Sequence, residues 1–314
     1  MKAGSRLTAI VLLVAFFFCV CPITRTEASA DYIRGLNRLH LNGDVPEKGT
    51  VESLTYHKAR SIQYTARVYL PYGYDPEDKT TAYDLLVILP GASGSYLTYF
   101  EEPYPYTGVQ IMDELIYLQE CRPLIAVTIS SFVSMNANAS DLMVTLIRAL
   151  VESVDQNYNT YGNPDIQVEL GPDEELRDHY VLAGFCYSAD VMCSVLLVPC
   201  CDLFSRYGFF STEIKCNPKQ IKLFEQAQSM HPIREIMISA GSFEPKFRSY
   251  TSILGDEFEK LGITVHRFTY AKVIHGYADN AFASFYNILL LMFPTSQRQG
   301  EAVSDAPCRP VLAE

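Results

Sequence analysis

The chain contains no tryptophan and is short of positive charge, with 25 Lys plus Arg against 36 Asp plus Glu and a formal net charge of −11. A phosphate-binding surface needs the opposite sign, so nucleic acid is not an expected partner. The missing indole removes the large platform useful for stacking on sugars, a role that tyrosine fills less effectively. None of the nine cysteines has Cys-x-x-Cys spacing and none adjoins a His cluster, so no metal is expected, and nothing calls for a cofactor. Internal repeats and low-complexity tracts are also missing. What is present is bulk: 314 residues, 48% of them hydrophobic, enough for one large domain with a sizeable core.

The first thirty residues carry a different pattern. Lys2 and Arg6 precede an uncharged apolar run that lasts until Arg25, Pro22 breaks it, and Ala28-Ser29-Ala30 offers small side chains at the spacing a signal peptidase accepts. Residues 1–30 are therefore expected to be an export signal cleaved after Ala30, with an uncleaved membrane anchor as the competing reading. No second stretch of that length and apolarity follows, so the mature chain is expected to be secreted or extracytoplasmic, with no stable membrane span. Cleavage removes three basic residues and one acidic, and leaves seven cysteines: Cys121, Cys186, Cys193, Cys200, Cys201, Cys216 and Cys308. An odd number leaves at least one thiol unpaired.

Residues 50–70 read as two strands with near-alternating apolar positions. Residues 83–89, 123–129 and 179–184 are continuous apolar runs of strand length, as expected for parallel strands covered on both faces. Further strands are expected at 206–210, 236–240 and 265–270. Helical periodicity fills the gaps at 142–158, 191–198, 249–261 and 280–292. Alternating strands and helices imply an α/β domain over residues 31–295, a mostly parallel sheet with helices on both faces and ligands at the carboxyl ends of its strands. Residues 158–178 read as a surface loop and 296–314 as a loose tail.

One segment stands out chemically. Gly184-Phe185-Cys186-Tyr187-Ser188-Ala189 follows an expected strand and opens an expected helix, the setting of a nucleophile elbow. Cys186 occupies the apex, where the positive end of the helix dipole favours a thiolate. A thiolate needs a base, an orienting acid and an oxyanion hole, and the chain supplies them in the order nucleophile, acid, histidine. Glu244 follows the strand ending at Ala240, and His275 lies in the loop after the last strand. The backbone amides of Gly91 and Ala92, joined by that of Tyr187, are the expected oxyanion donors. Tyr96, Tyr99 and Phe100 follow that loop and are expected either to line an acyl or aryl pocket or to cap the sheet.

At these residues the chain resembles the esterase family of α/β-hydrolases that includes feruloyl and acetyl-xylan esterases, S-formylglutathione hydrolases and mycolyltransferases. The resemblance runs from about residue 49 to 294. It rests on Arg67-Val68-Tyr69-Leu70-Pro71-Tyr72-Gly73-Tyr74, on the strand ending at Gly91, on the segment from Arg177 to Ala189, and on His275. Five positions depart from the family pattern: Cys186 replaces Ser, Ser188-Ala189 replace two glycines, Pro90 replaces His and Glu244 replaces Asp. If the family turn is kept, Ser188 has to adopt a φ value that glycine adopts more easily.

The resemblance implies an α/β-hydrolase fold and hydrolysis or transfer of an acyl group from a small-molecule or polysaccharide-linked ester or thioester. The residues above would act as a Cys-His-Glu triad. The rival expectation is a catalytically inactive homologue that binds carbohydrate or acyl chains in the same cleft.

Overall fold

The computed structural model describes residues 45–59, 62–101, 107–137 and 139–296. The expected export signal, the tail beyond Ser296, and Tyr104, Tyr106, Asn138 and Cys308 lie outside the described residues.

Among the described residues eight strands form one sheet: β1 (Thr50–Ala59), β2 (Ile62–Leu70), β3 (Asp84–Leu89), β4 (Leu124–Ile129), β5 (Tyr180–Phe185), β6 (Arg206–Phe210), β7 (Glu235–Gly241) and β8 (Thr264–Tyr270). Their order is β1-β2-β4-β3-β5-β6-β7-β8. The β1–β2 hairpin and the β2–β4 pair are antiparallel, and every pairing from β4 through β3 to β8 is parallel. Strands β3, β4 and β5 are buried at every position, which explains their unbroken apolar sequence.

Among the described residues six helices cover the two faces: α1 (Gly108–Tyr117), α2 (Ser140–Asn157), α3 (Tyr187–Val191), α4 (Pro218–Met230), α5 (Pro245–Lys260) and α6 (Phe282–Met292). Leu146, Leu150, Leu196, Phe224 and Phe258 pack the first face, and Ile111, Leu115, Phe285 and Leu289 the second. No helix among the described residues is long and apolar enough to cross a membrane.

Several boundaries differ from the sequence reading. The helix expected from residue 191 starts at Tyr187, directly on the β5 turn, and continues through a π-helical turn over Met192–Leu196. Helix α5 starts at Pro245 rather than near 249, because proline loses nothing at the first helical position. Helix α4 was not anticipated, although Asn217-Pro218 is a start signal: the Asn217 side chain accepts from the Lys219 and Gln220 N–H groups, both at 3.0 Å. The stretch 158–178 is not wholly superficial. Asn159, Thr160, Asn163, Arg177 and Asp178 are buried, and a 3₁₀ turn covers Leu176–His179.

The sequence of crossovers reverses beside β3, which lies between β4 and β5. Loops after β3 and β5 therefore face each other across the crevice where open parallel sheets receive ligands.

Candidate active site

The sharpest backbone feature lies at the β5–α3 turn. Cys186 has φ 54° and ψ −121°, a region that costs a non-glycine residue about 1–3 kcal/mol and persists only when its surroundings impose it. They do so here. The Cys186 N–H donates to the Phe210 carbonyl at 2.8 Å, and the Asp190 N–H donates to the Cys186 carbonyl at 3.2 Å. Below the turn, a β-carbon on Gly184 would lie 2.7 Å from Met192 Sδ and 3.2 Å from the Ala189 nitrogen, so only glycine lets the helix sit this close to its strand.

Ser188 is not among the residues with positive φ, which corrects the expectation that strain falls there. It lies one step into α3 with ordinary helical geometry, and the turn concentrates its strain at the apex. The Ser188 hydroxyl is buried and donates to the Pro90 carbonyl at 2.5 Å. It thus ties the helix to the loop after β3.

That loop, 90–94, packs directly on the apex. A β-carbon on Gly91 would stand 3.5 Å from Cys186 Cβ and 3.2 Å from Phe185 Cδ1. Its first three carbonyls are held elsewhere: Pro90 by Ser188, Gly91 by the Gly94 N–H at 2.9 Å, and Ala92 by the Ser131 hydroxyl at 2.7 Å. In a trans peptide the N–H points opposite the carbonyl, so these bonds fix the directions of the Gly91, Ala92 and Ser93 amides. Tyr187 is the first residue of α3, where an N–H has no partner within the helix.

His275 follows β8. Its Nδ1 lies 2.5 Å from Glu244 Oε1, and its ring is sandwiched between two aromatic faces: Phe185 at 4.7 Å and 24°, Phe247 at 4.2 Å and 18°. Phe185, the residue before Cys186, stacks on the imidazole, so the elbow apex and the ring are neighbours, and with Nδ1 taken by Glu244 the nitrogen left for the thiol is Nε2. Burial pulls the imidazole pKa down. The hydrogen bonds and charges of Cys186 and Glu244 outweigh it, and the net result is a pKa raised to about 9.

Glu244 is buried, not an exposed loop carboxylate. Its Oε2 accepts from the Gly241 N–H at 2.5 Å, from the Ser211 hydroxyl at 3.0 Å and from Asn280 Nδ2. Asn280 Nδ2 also donates to Ser211 Oγ at 2.7 Å, and Ser284 Oγ donates to Asn280 Oδ1 at 3.3 Å. A buried carboxylate without such donors would be expensive; here both oxygens are engaged. Ser211 and Asn280 escaped the sequence reading. The available signal was position alone, since Ser211 follows a strand end and Asn280 lies one turn beyond His275.

Cys186, His275, Glu244 and the Gly91–Ala92 loop therefore meet at one edge of the sheet. Tyr99 and Phe100 do not line that site. Both are buried, and the Tyr99 ring packs on Phe282 at 5.8 Å and Phe285 at 5.6 Å, capping the sheet. Tyr96 is half-buried under the Arg67 guanidinium, 5.6 Å from the ring centre. Among the described residues no group of His, Cys, Asp or Glu could hold a metal ion. Burial pushes the Cys193 and Cys201 thiols up, Cys200 to about 12 and Cys216 to about 11.

Comparison with solved structures fits this geometry. A feruloyl esterase module from Clostridium thermocellum, solved with sinapinate, superimposes with a TM-score of 0.64 at 18% identity, covering 82% of this chain and 91% of its own. The chain has the α/β-hydrolase fold. A ferulic acid esterase from the anaerobic fungus Anaeromyces mucronatus gives 0.61 at 16% identity, over 79% of this chain and 91% of that one. The S-formylglutathione hydrolase of Staphylococcus aureus gives 0.56 at 15% identity, over 77% and 99%. No family model matches the chain. A curated relative, endo-1,4-beta-xylanase Y of Acetivibrio thermocellus, is 29% identical over 117 residues, 37% of this chain, and the chain spans only 10% of that protein's length.

Proposed function

We propose that this α/β-hydrolase domain hydrolyses or transfers the acyl group of an ester or thioester, with Cys186 as nucleophile, His275 as acid and base, and Glu244 as the orienting acid. The observation that carries the reading is the strained apex at Cys186, φ 54°, beside Phe185, whose ring stacks at 4.7 Å on an imidazole that Glu244 grips at 2.5 Å. Strain and a buried carboxylate both cost stability, and an inert scaffold has no use for them together. The relatedness of the fold to feruloyl esterases and an S-formylglutathione hydrolase supports the same reaction class.

The steps follow from the geometry. Cys186 Sγ attacks the acyl carbon while its proton resides on His275 Nε2, and the carbonyl oxygen takes up charge against the Tyr187 amide and those of Gly91 and Ala92. Collapse breaks the bond to the leaving group, which departs with the Nε2 proton. The acyl-enzyme no longer presents a thiol to His275, so one cause of its raised pKa is lost. A neutral imidazole is then free to take a proton from water, whose oxygen attacks the acyl carbon and releases Cys186. Thioesters and activated acyl groups suit this nucleophile, because the departing atom must leave at least as readily as the attacking sulfur. The reading of residues 1–30 as a cleaved export signal belongs to the same proposal and places the enzyme outside the cytoplasm.

The test is a burst of p-nitrophenol from p-nitrophenyl acetate that Cys186→Ala abolishes, with iodoacetamide alkylating Cys186 selectively. Absence of both assigns the cleft to binding without catalysis.

A further inference from the structure

Beside His275 the surface carries large apolar side chains that contribute little to the core. Phe243 is 62% exposed and Ile274 56%, while Phe247 is half-buried with its ring against the imidazole. Phe243 and Ile274 come from two loops stitched together, and Phe247 from the first turn of α5. The Phe243 N–H donates to the Val273 carbonyl at 3.0 Å, the Lys272 N–H donates to Ser242 Oγ at 2.7 Å, and Glu244 next to Phe243 grips His275 next to Ile274. Exposed aromatic and β-branched groups gathered at one place mark a contact surface.

Chemistry says which part of a substrate meets them. During acyl transfer the carbonyl oxygen turns toward the amides near Gly91 and Tyr187, and the departing atom has to lie within reach of His275 Nε2 to collect its proton. Apolar groups near the imidazole are therefore placed for the leaving group rather than the acyl chain. We propose that Phe243, Phe247 and Ile274 form a leaving-group subsite for an apolar alkyl or aryl thiol or alcohol, in preference to a sugar hydroxyl. The inference rests on the acyl-transfer reading above. In the step concerned, the acyl carbon's bond to the leaving sulfur or oxygen breaks as its bond to Cys186 Sγ forms; the electron pair leaves with the departing atom, which takes the proton from Nε2. Water later supplies the hydroxyl of the free acid and returns the proton that restores the thiol.

The experiment varies only the departing chain. Acetyl thioesters of ethanethiol, butane-1-thiol and hexane-1-thiol present the same carbonyl and similar leaving-group acidity. With the wild-type protein kcat/KM should rise roughly two- to fourfold per added methylene. The double variant Phe243→Ser, Ile274→Ser removes two exposed side chains, so it should fold normally and flatten the series. A second arm needs no turnover: binding of ethanol, butan-1-ol and hexan-1-ol to Cys186→Ala, followed by calorimetry, should tighten by similar steps and lose that gradient when the two Ser substitutions are added. A flat turnover series, or a gradient that survives both Ser substitutions, overturns the subsite and leaves acyl transfer standing. Graded alcohol binding without any turnover keeps the subsite and overturns the catalytic reading; neither gradient nor turnover overturns both.

Discussion

The Phe247 ring lies nearly parallel to the His275 imidazole, 4.2 Å away and tilted by 18°. Phe247 belongs to the first turn of α5, immediately after the loop that carries Glu244, so one short segment supplies both the carboxylate at the ring's edge and an aromatic face. An aromatic face stabilises an imidazolium more than an imidazole, by about 0.5–1 kcal/mol at a partly exposed site. Phe247→Leu keeps the apolar bulk but removes the π-face. The titration of His275, followed by its ring proton resonances, should then move down by about half a pH unit, while Phe247→Tyr leaves it in place. An unchanged titration in the Leu variant would reduce Phe247 to a packing role.

Most of the scaffold was legible because parallel strands covered on both faces have no polar positions to disguise them: β3, β4 and β5 read directly from their runs. Helix α4 was not, since its exposed surface dilutes the apolar period and only Asn217-Pro218 announced it. At the site, strand ends and chain order identified which loops matter, but not how buried each side chain is. For that reason Tyr99 and Phe100 read equally as pocket residues or as a cap on the sheet; both are buried, with the Tyr99 ring against α6. The support beneath Glu244 comes from Ser211 and Asn280, which are 33 and 36 residues away in sequence and carry no local pattern.

Proton affinity gives a second prediction. The folded pKa of His275, about 9, exceeds its ordinary value of 6.5, so the stability this residue contributes is fully present below about pH 6.5 and is lost as pH rises through about 9. The acylation step should follow the same group: with p-nitrophenyl acetate replaced by a thioester whose leaving group needs a proton, kcat/KM should decline above about pH 9 as the imidazolium is lost. Glu244→Gln removes a carboxylate that raises the imidazole pKa, and the decline should begin at lower pH with the maximal rate also reduced. A basic limb that stays put in the Gln variant would separate Glu244 from His275 in function.

Ser188 offers a third. Its hydroxyl holds the Pro90 carbonyl at 2.5 Å, and through the trans peptide it fixes the direction of the Gly91 amide. Ser188→Ala leaves that carbonyl without its donor in a buried setting, which should destabilise the fold by about 1–3 kcal/mol in urea denaturation. It should also lower kcat by roughly tenfold or more with little change in KM, because a misdirected oxyanion donor affects the transition state more than the ground state. Ser188→Gly, which resembles the usual residue at this turn but likewise lacks a donor, should behave no better than Ala. A kcat equal to that of wild type in both variants would show that the loop holds its shape without this bond.

The apex itself can be interrogated without any substrate. Replacing Cys186 by Ala or by Gly removes the sulfur in both cases, so the two variants differ only in a β-carbon and in backbone freedom. In an ordinary conformation Gly is the less stable of such a pair by about 0.4–1 kcal/mol, since it gives the unfolded chain more freedom. At φ 54° and ψ −121° the order should reverse, because alanine keeps the strain that glycine relieves, worth about 1–3 kcal/mol. Thermal unfolding of Cys186→Gly should therefore occur several degrees above that of Cys186→Ala. Should Ala prove the more stable variant, the backbone at 186 is relaxed, and the main reason for reading this turn as a site under functional selection is gone.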